Sequence, residues 1–124
     1  MLRVVVIDDV REVREAVASV IRKTGHEIVG EADDGASGVQ ATLAHRPDLV
    51  VMDWRMPGMD GVEATRQIRA SYPSAAIIAF SSTDEPDVRD VFLTAGADAF
   101  VEKNDVKGLI AAVLAIAEGS ANEG

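Results

Sequence analysis

The feature that most constrains this chain is a fivefold alternation of short apolar runs with helical stripes. Four runs are strong: Val4-Val5-Val6-Ile7, Leu49-Val50-Val51-Met52, Ala75-Ala76-Ile77-Ile78-Ala79-Phe80 and Ala99-Phe100-Val101. A fifth, Ile28-Val29-Gly30-Glu31-Ala32, is weaker and more polar. Continuous apolar runs without polar alternation suit parallel strands buried on both faces, and the polar run suits an edge. Between them, Val13, Ala16, Val17, Val20 and Ile21 follow helical spacing, with Gly25 as a stop. Four more stripes follow: Ala36, Val39 and Leu43 before Pro47; Val62, Thr65 and Ile68 after Gly61; Val88, Val91, Phe92 and Ala95 before Gly96; and Val106, Leu109, Ile110, Val113 and Ala117. Five strand–helix units predict an α/β fold: a doubly wound, five-stranded parallel sheet with five helices on its two faces. Eight such units, as a closed barrel needs, are not available.

Length and composition narrow the functions. The 124 residues suit one domain. The absence of Cys removes disulfide scaffolds, zinc–thiolate sites and a cysteine nucleophile. With 12 basic and 21 acidic side chains the net charge is −9, which argues against this chain gripping nucleic acid by its backbone. No apolar run approaches the roughly 20 residues of a membrane span, and Arg3 to Val10 reads as strand rather than leader, so a cytoplasmic chain without membrane contact is expected. From Glu118 to Gly124 large apolar side chains stop, which reads as a tail or the start of a linker after a domain of residues 1–117.

In open parallel sheets, ligand chemistry gathers at the carboxyl ends of the strands, where strand order reverses. Here those ends carry Asp8-Asp9, Asp53, Ser81-Ser82 and Glu102-Lys103. In the order 2-1-3-4-5, one of the two common doubly wound arrangements, the first and third strands are neighbours about 4.8 Å apart. Three carboxylates would then crowd together and repel one another. A hard cation and an ammonium relieve that repulsion. Oxygen ligands suit Mg²⁺, with Mn²⁺ as the alternative, and Lys103 supplies the ammonium. Taken singly, Asp8-Asp9 reads equally well as a helix start and Lys103 as a solvated strand end. Taken together, the strand ends point to phosphoryl transfer onto a carboxylate. Asp53 is the best nucleophile, Asp8 and Asp9 the metal ligands, and Lys103 and the Ser81 hydroxyl neutralise charge on the transferred group.

These residues also carry a family resemblance. The segments Val6-Ile7-Asp8-Asp9, Met52-Asp53-Trp54-Arg55-Met56-Pro57 through Gly58-Met59-Asp60-Gly61, Phe80-Ser81-Ser82 and Gly96-Ala97-Asp98-Ala99-Phe100-Val101-Glu102-Lys103 are individually weak. Their spacing is specific: Asp53 lies 44 residues after Asp9, 28 before Ser81 and 50 before Lys103. In this the sequence resembles the receiver domain of two-component response regulators, from residue 3 to about residue 117.

The resemblance implies a flavodoxin-like sheet of order 2-1-3-4-5. It implies that Asp53 accepts a phosphoryl group from a histidine kinase or phosphotransfer protein. Asp9 would ligate Mg²⁺ directly, Asp8 through water, and Arg55 through its backbone carbonyl. Ser81 would be the switch hydroxyl, Phe100 the aromatic switch behind it, and Lys103 the partner of the phosphoryl oxygens. No enzymatic activity beyond self-phosphotransfer and self-dephosphorylation is implied. The face of the fourth and fifth helices would signal to an output domain or a second copy. A finer likeness, in Arg69-Ala70-Ser71-Tyr72-Pro73, Phe80-Ser81 and the Gly119 tail, is to receivers that precede LuxR-type helix-turn-helix output domains, which connects the chain to transcription regulation. Asn104, Ser82 and Arg55 depart from the commonest pattern; Asn104 stands where many members carry Pro.

Two other readings stand against this one, the second of them a module of similar topology. A Mg²⁺-dependent phosphohydrolase with an aspartate nucleophile would show DxDxT after the first strand, where this chain has Asp8-Asp9-Val10-Arg11-Glu12. A flavin-binding module would need a Ser/Thr/Gly-rich phosphate loop there, and the two acids would repel phosphate. Leu114 and Ile116 lie off the apolar stripe of the fifth helix and read as partner-facing. His26 and His45 lack ligand spacing and read as surface residues.

Overall fold

The computed structural model describes residues 1–82 and 85–123. The elements alternate strictly: β1 (Arg3–Ile7), α1 (Arg11–Lys23), β2 (Glu27–Ala32), α2 (Gly35–His45), β3 (Leu49–Met52), α3 (Gly61–Ser71), β4 (Ala76–Ser81), α4 (Val88–Ala95), β5 (Ala99–Glu102) and α5 (Val106–Glu123). The sheet is parallel throughout, in the order β2-β1-β3-β4-β5. The polar run is the edge strand β2, as its composition predicts.

Because successive side chains of a strand point to opposite faces, each continuous apolar run serves two cores. Val5, Ile7, Val50, Met52, Ile77 and Ala79 pack under α2, α3 and α4. Val4, Val6, Leu49, Val51, Ile78, Phe80 and Val101 pack under α1 and α5. Val17 and Ile21 anchor α1 there, and Leu109 and Val113 anchor α5. On the other face the largest fully buried side chain is Phe92 of α4.

The structure corrects the expected face of α2. Its buried residues are Gly35, Gly38, Val39 and Thr42, while Ala36 and Leu43 are exposed. Glycines set this face. A Cβ on Gly38 would lie 2.7 Å from the Ile7 side chain, and one on Gly35 would lie 2.2 Å from the Met59 carbonyl oxygen. The helix therefore sits closer to β1 and to the loop before α3 than a stripe of larger side chains would allow. The Thr42 hydroxyl donates to the Gly38 carbonyl at 2.8 Å, so the polar member of this face is satisfied within the helix.

Other stripes shift by a residue. In α1, Ala18 is buried and Ala16 exposed. Val91, Val106 and Ile110, each counted on a core stripe, are exposed at their helix surfaces. Leu114 is 55% exposed, whereas Ile116 is half-buried against the α1/α5 core and so is not a free partner-facing residue. Helix α5 runs on to Glu123, through the stretch that reads as a tail; Gly124 lies outside the described residues. His45 is exposed, but His26 is half-buried, and its Nδ1 accepts the Leu2 backbone N–H at 3.0 Å. Among the described residues no helix is long and apolar enough to cross a membrane.

Candidate functional site

The strand register builds the site. Ile7 pairs with Met52 across β1 and β3, so Asp8 and Asp53 leave adjacent strands at the same level. Backbone bonds extend the ladder by one residue on each side: Asp53 N–H to the Ile7 carbonyl at 2.9 Å and Asp8 N–H to the Ala32 carbonyl at 3.0 Å. Asp8 and Asp53 are buried and Asp9 is exposed, and oxygen atoms of all three carboxylates lie within 4.8 Å of one another. Each buried acid is held by a backbone donor. Val10 N–H reaches Asp8 Oδ1 at 2.9 Å, and Trp54 N–H reaches Asp53 Oδ1 at 2.8 Å.

Lys103 closes the cluster from the turn after β5. Its Nζ lies 2.9 Å from Asp8 Oδ2 and 3.0 Å from Asp53 Oδ1. The turn is tied to the sheet by Lys103 N–H to the Ser81 carbonyl at 3.2 Å, and closed by Asp105 N–H to the Glu102 carbonyl at 2.9 Å. Asn104 lies within this turn, and the described residues contain no cis peptide bond.

The charges are coupled. Burial, and then the neighbouring Asp8 carboxylate, push the Asp53 carboxyl up from 3.8 to about 6, against the downward pull of Lys103 and the Trp54 N–H. Burial works against the Lys103 ammonium, but its bonds to Asp8 and Asp53 outweigh this and raise its pKa. One ammonium therefore leaves an excess of negative charge among three carboxylates, all offering hard oxygen ligands. That donor set fits Mg²⁺.

The β3–α3 loop is fitted to the acid. Gly61 N–H donates to the Trp54 carbonyl at 2.7 Å, and a Cβ on Gly61 would lie 1.7 Å from the Asp53 carbonyl oxygen. Asp60 caps α3 through the Glu63 N–H at 2.9 Å. Ser81 is buried at the end of β4, on the strand next to that of Asp53. Phe100 on β5 is half-buried, its ring centroid 6.1 Å from that of Phe92. The Arg55 guanidinium lies over the Trp54 ring, 4.4 Å from its centroid, and pairs with Glu85.

The strand-end residues singled out in the sequence all lie at one end of the sheet, and there the side chains of Asp8, Asp9, Asp53 and Lys103 come together. The comparison with known families agrees with this geometry: the model of the response regulator receiver domain matches residues 4–114. The chain belongs to that family. This receiver is 38% identical over 120 residues to the transcriptional regulatory protein NarL of Mycobacterium tuberculosis, covering 95% of this chain and 56% of that protein. The solved receiver domain of that NarL superposes with a TM-score of 0.88, covering 95% of this chain and 97% of that one. A LuxR-family response regulator from Aurantimonas sp. superposes with a TM-score of 0.89 at 35% identity, covering 96% of this chain and 86% of that one. The two-component response regulator ORR41 of Oryza sativa subsp. japonica is 41% identical over 119 residues, covering 93% of each chain. The chain spans about half the length of NarL and nearly all of ORR41. The relatives include a LuxR-family response regulator and a NarL regulatory protein, and neither the phosphohydrolase nor the flavin reading finds support.

Sequence reasoning missed two supports of the site. Gly61 was visible as a helix start and as the end of the segment 52–61, but not for its missing side chain, which is what lets the loop pass Asp53. Arg14 and Glu31 were not singled out. Arg14, half-buried in α1, donates to the Asp8 carbonyl at 2.8 Å and pairs with Glu31 of β2 at 3.3 Å.

Proposed function

We propose that this receiver takes a phosphoryl group on Asp53 and uses it to shift between two conformations that control an output. The observation that carries this reading is the placement of Lys103 Nζ between the buried Asp8 and Asp53 carboxylates, at 2.9 and 3.0 Å. A cation already stands where negative charge on a transferred group would gather.

The chemistry is a displacement at phosphorus. A carboxylate oxygen of Asp53 attacks, an acyl phosphate O–P bond forms, and the P–N bond to the imidazole of a histidine kinase or phosphotransfer protein breaks. The departing imidazole takes a proton. In a separate hydrolytic step, water attacks phosphorus, a new P–O bond forms, the acyl phosphate O–P bond breaks to restore the Asp53 carboxylate, and inorganic phosphate leaves with one of water's protons while the other passes to solvent. This self-phosphotransfer and self-dephosphorylation is the only catalysis the reading assigns. Asp8, Asp9, Asp53 and the Arg55 backbone carbonyl would hold Mg²⁺, which when bound neutralises phosphoryl oxygens. Lys103 orients the acceptor carboxylate and keeps a positive charge beside it. The Trp54 N–H holds Asp53 Oδ1 in place.

The switch is an electrostatic one. A phosphoryl group adds acceptor oxygens that are satisfied best when Lys103 and the Ser81 hydroxyl close on it, with Phe100 turning inward behind Ser81. Moving such an equilibrium from 1:99 to 99:1 takes about 5.5 kcal/mol of differential binding. Two or three charge-assisted hydrogen bonds of about 1.5–3 kcal/mol each are of that order. Residues 1–117 form the receiver unit in this reading. Residues 118–124 begin the connection to an output domain or homodimer partner that regulates transcription. A cytoplasmic location accompanies the reading.

Trp54 adjoins Asp53 and reports on the site. Mg²⁺ is expected to change its fluorescence, and a small-molecule phosphodonor to change it again. Intact-mass measurement is expected to show one added phosphoryl group in the wild type and none in Asp53→Asn. An unchanged phosphodonor response in Asp53→Asn overturns the assignment.

A further inference from the structure

Two of the three carboxylates proposed to hold the cation sit on one short loop, Asp8-Asp9, between β1 and α1. That loop has little support of its own. Val10, the residue before helix α1, gives it no side-chain cap, and the Asp8 carboxylate is already committed to the Val10 N–H and to Lys103. What holds the Asp8 main chain from the far side is Arg14, one turn into α1. Its guanidinium donates to the Asp8 carbonyl at 2.8 Å and is braced by Glu31 on β2 at 3.3 Å. The Arg14 side chain is 18% exposed and that of Glu31 37%, so the bridge is shielded from water at its Arg14 end. On the β2 side the Asp8 N–H is tied to the Ala32 carbonyl at 3.0 Å. The peptide units on both sides of the Asp8 Cα are thereby pinned to β2: one directly, the other through Arg14 and Glu31.

We propose that Arg14 is a positioning residue for the cation-binding half of this site: through the Asp8 carbonyl it fixes the loop that presents Asp8 and Asp9, and Glu31 fixes Arg14. The proposal rests on the reading of Asp8, Asp9 and Asp53 as cation ligands. It has a distinctive sign. Arg14 is itself a cation, so if it acted only through its charge, removing it would tighten Mg²⁺ binding. Acting through position, its removal loosens binding. Arg14→Lys separates the two further, because lysine keeps the charge but loses the planar fork that spans a carbonyl and a carboxylate.

Mg²⁺ affinity is measured by titrating Trp54 fluorescence in the wild type, Arg14→Lys and Arg14→Met. Partners that orient metal ligands from behind cost about 10- to 100-fold in affinity when removed, and a loss near the lower end is expected for Arg14→Met, with a smaller loss for Arg14→Lys. A metal-free readout accompanies it: in EDTA, the Asp8 and Val10 amides, which are bonded to the Ala32 carbonyl and to Asp8 Oδ1, should exchange with solvent faster in both variants, while amides of β3 and β4 keep their protection. That contrast separates loop positioning from general destabilisation. Unchanged or tighter Mg²⁺ binding in both variants, with unchanged exchange at Asp8 and Val10, overturns the role of Arg14 alone. A wild type that gives no response to Mg²⁺ overturns the cation reading and this proposal with it.

Discussion

Replacing Asp53 with Asn should make the metal-free protein more stable, and only above mildly acidic pH. The folded-state carboxyl titrates at about 6 against 3.8 when unperturbed, because it is buried beside Asp8. The folded state therefore binds this proton more tightly than the unfolded state. Between about pH 4 and pH 6 the unfolded chain has released the proton and the folded chain has not, so wild-type stability falls as pH rises through that window and stays reduced above it. Asn cannot ionise and escapes the loss. Its amide oxygen can still accept the Trp54 N–H, and Lys103 keeps Asp8 as partner. A shift of about two units at roughly 1.4 kcal/mol each sets an upper bound near 3 kcal/mol. Water at the mouth of the site, where Asp9 is exposed, screens this to about 1–2 kcal/mol. For a domain of this size that corresponds to roughly 4–8 °C in melting temperature. Thermal unfolding followed by circular dichroism in EDTA, at steps from pH 4 to pH 7.5, measures the difference. It should be near zero at pH 4 and reach its full value by pH 7. A gain that is independent of pH, or a loss at pH 7.5, would refute the charge argument.

Three further outcomes follow from the same geometry. Lys103→Met removes the ammonium that Asp8 and Asp53 share, so the Asp53 carboxyl should titrate above its wild-type value in an NMR pH titration, with a stability loss of about 1–3 kcal/mol at neutral pH. Gly61→Ala places a Cβ 1.7 Å from the Asp53 carbonyl oxygen; the forced shift should cost about 1–3 kcal/mol in urea unfolding and weaken the Trp54 response to Mg²⁺. Phe92→Ala empties the centre of the core under α4 and should cost about 3–5 kcal/mol, lowering the urea midpoint with little change in slope.

The fold was legible because burial on both faces leaves a distinctive mark. Runs of three to six apolar residues without alternation, rich in Val and Ile and bounded by turn residues, suit strands covered on two sides, and the sequence bounds of β3, Leu49 to Met52, coincide with those of the strand. The site was legible for a related reason: a polar residue that ends an apolar run must emerge at the edge of the sheet, so Asp8, Asp53, Ser81 and Lys103 were visible one strand at a time. Helix faces were less legible. In α2 the apolar periodicity points to Ala36 and Leu43, but the buried side is set by Gly35 and Gly38, whose importance lies in what their neighbours leave no room for.

The amino-acid order alone therefore determined the number and kind of elements and which side chains stand at the strand ends, since these depend on local periodicity. Tertiary structure decided what those side chains become. The register of Ile7 against Met52 levels two carboxylates that are 45 residues apart in sequence. Burial of that pair lifts Asp53 to a pKa of about 6, and the turn after β5 brings Lys103 between them. The bridge from Glu31 through Arg14 to the Asp8 carbonyl joins three elements and has no signature in any one of them. These properties depend on distance and on exclusion of water, which exist only once the sheet has closed against its helices.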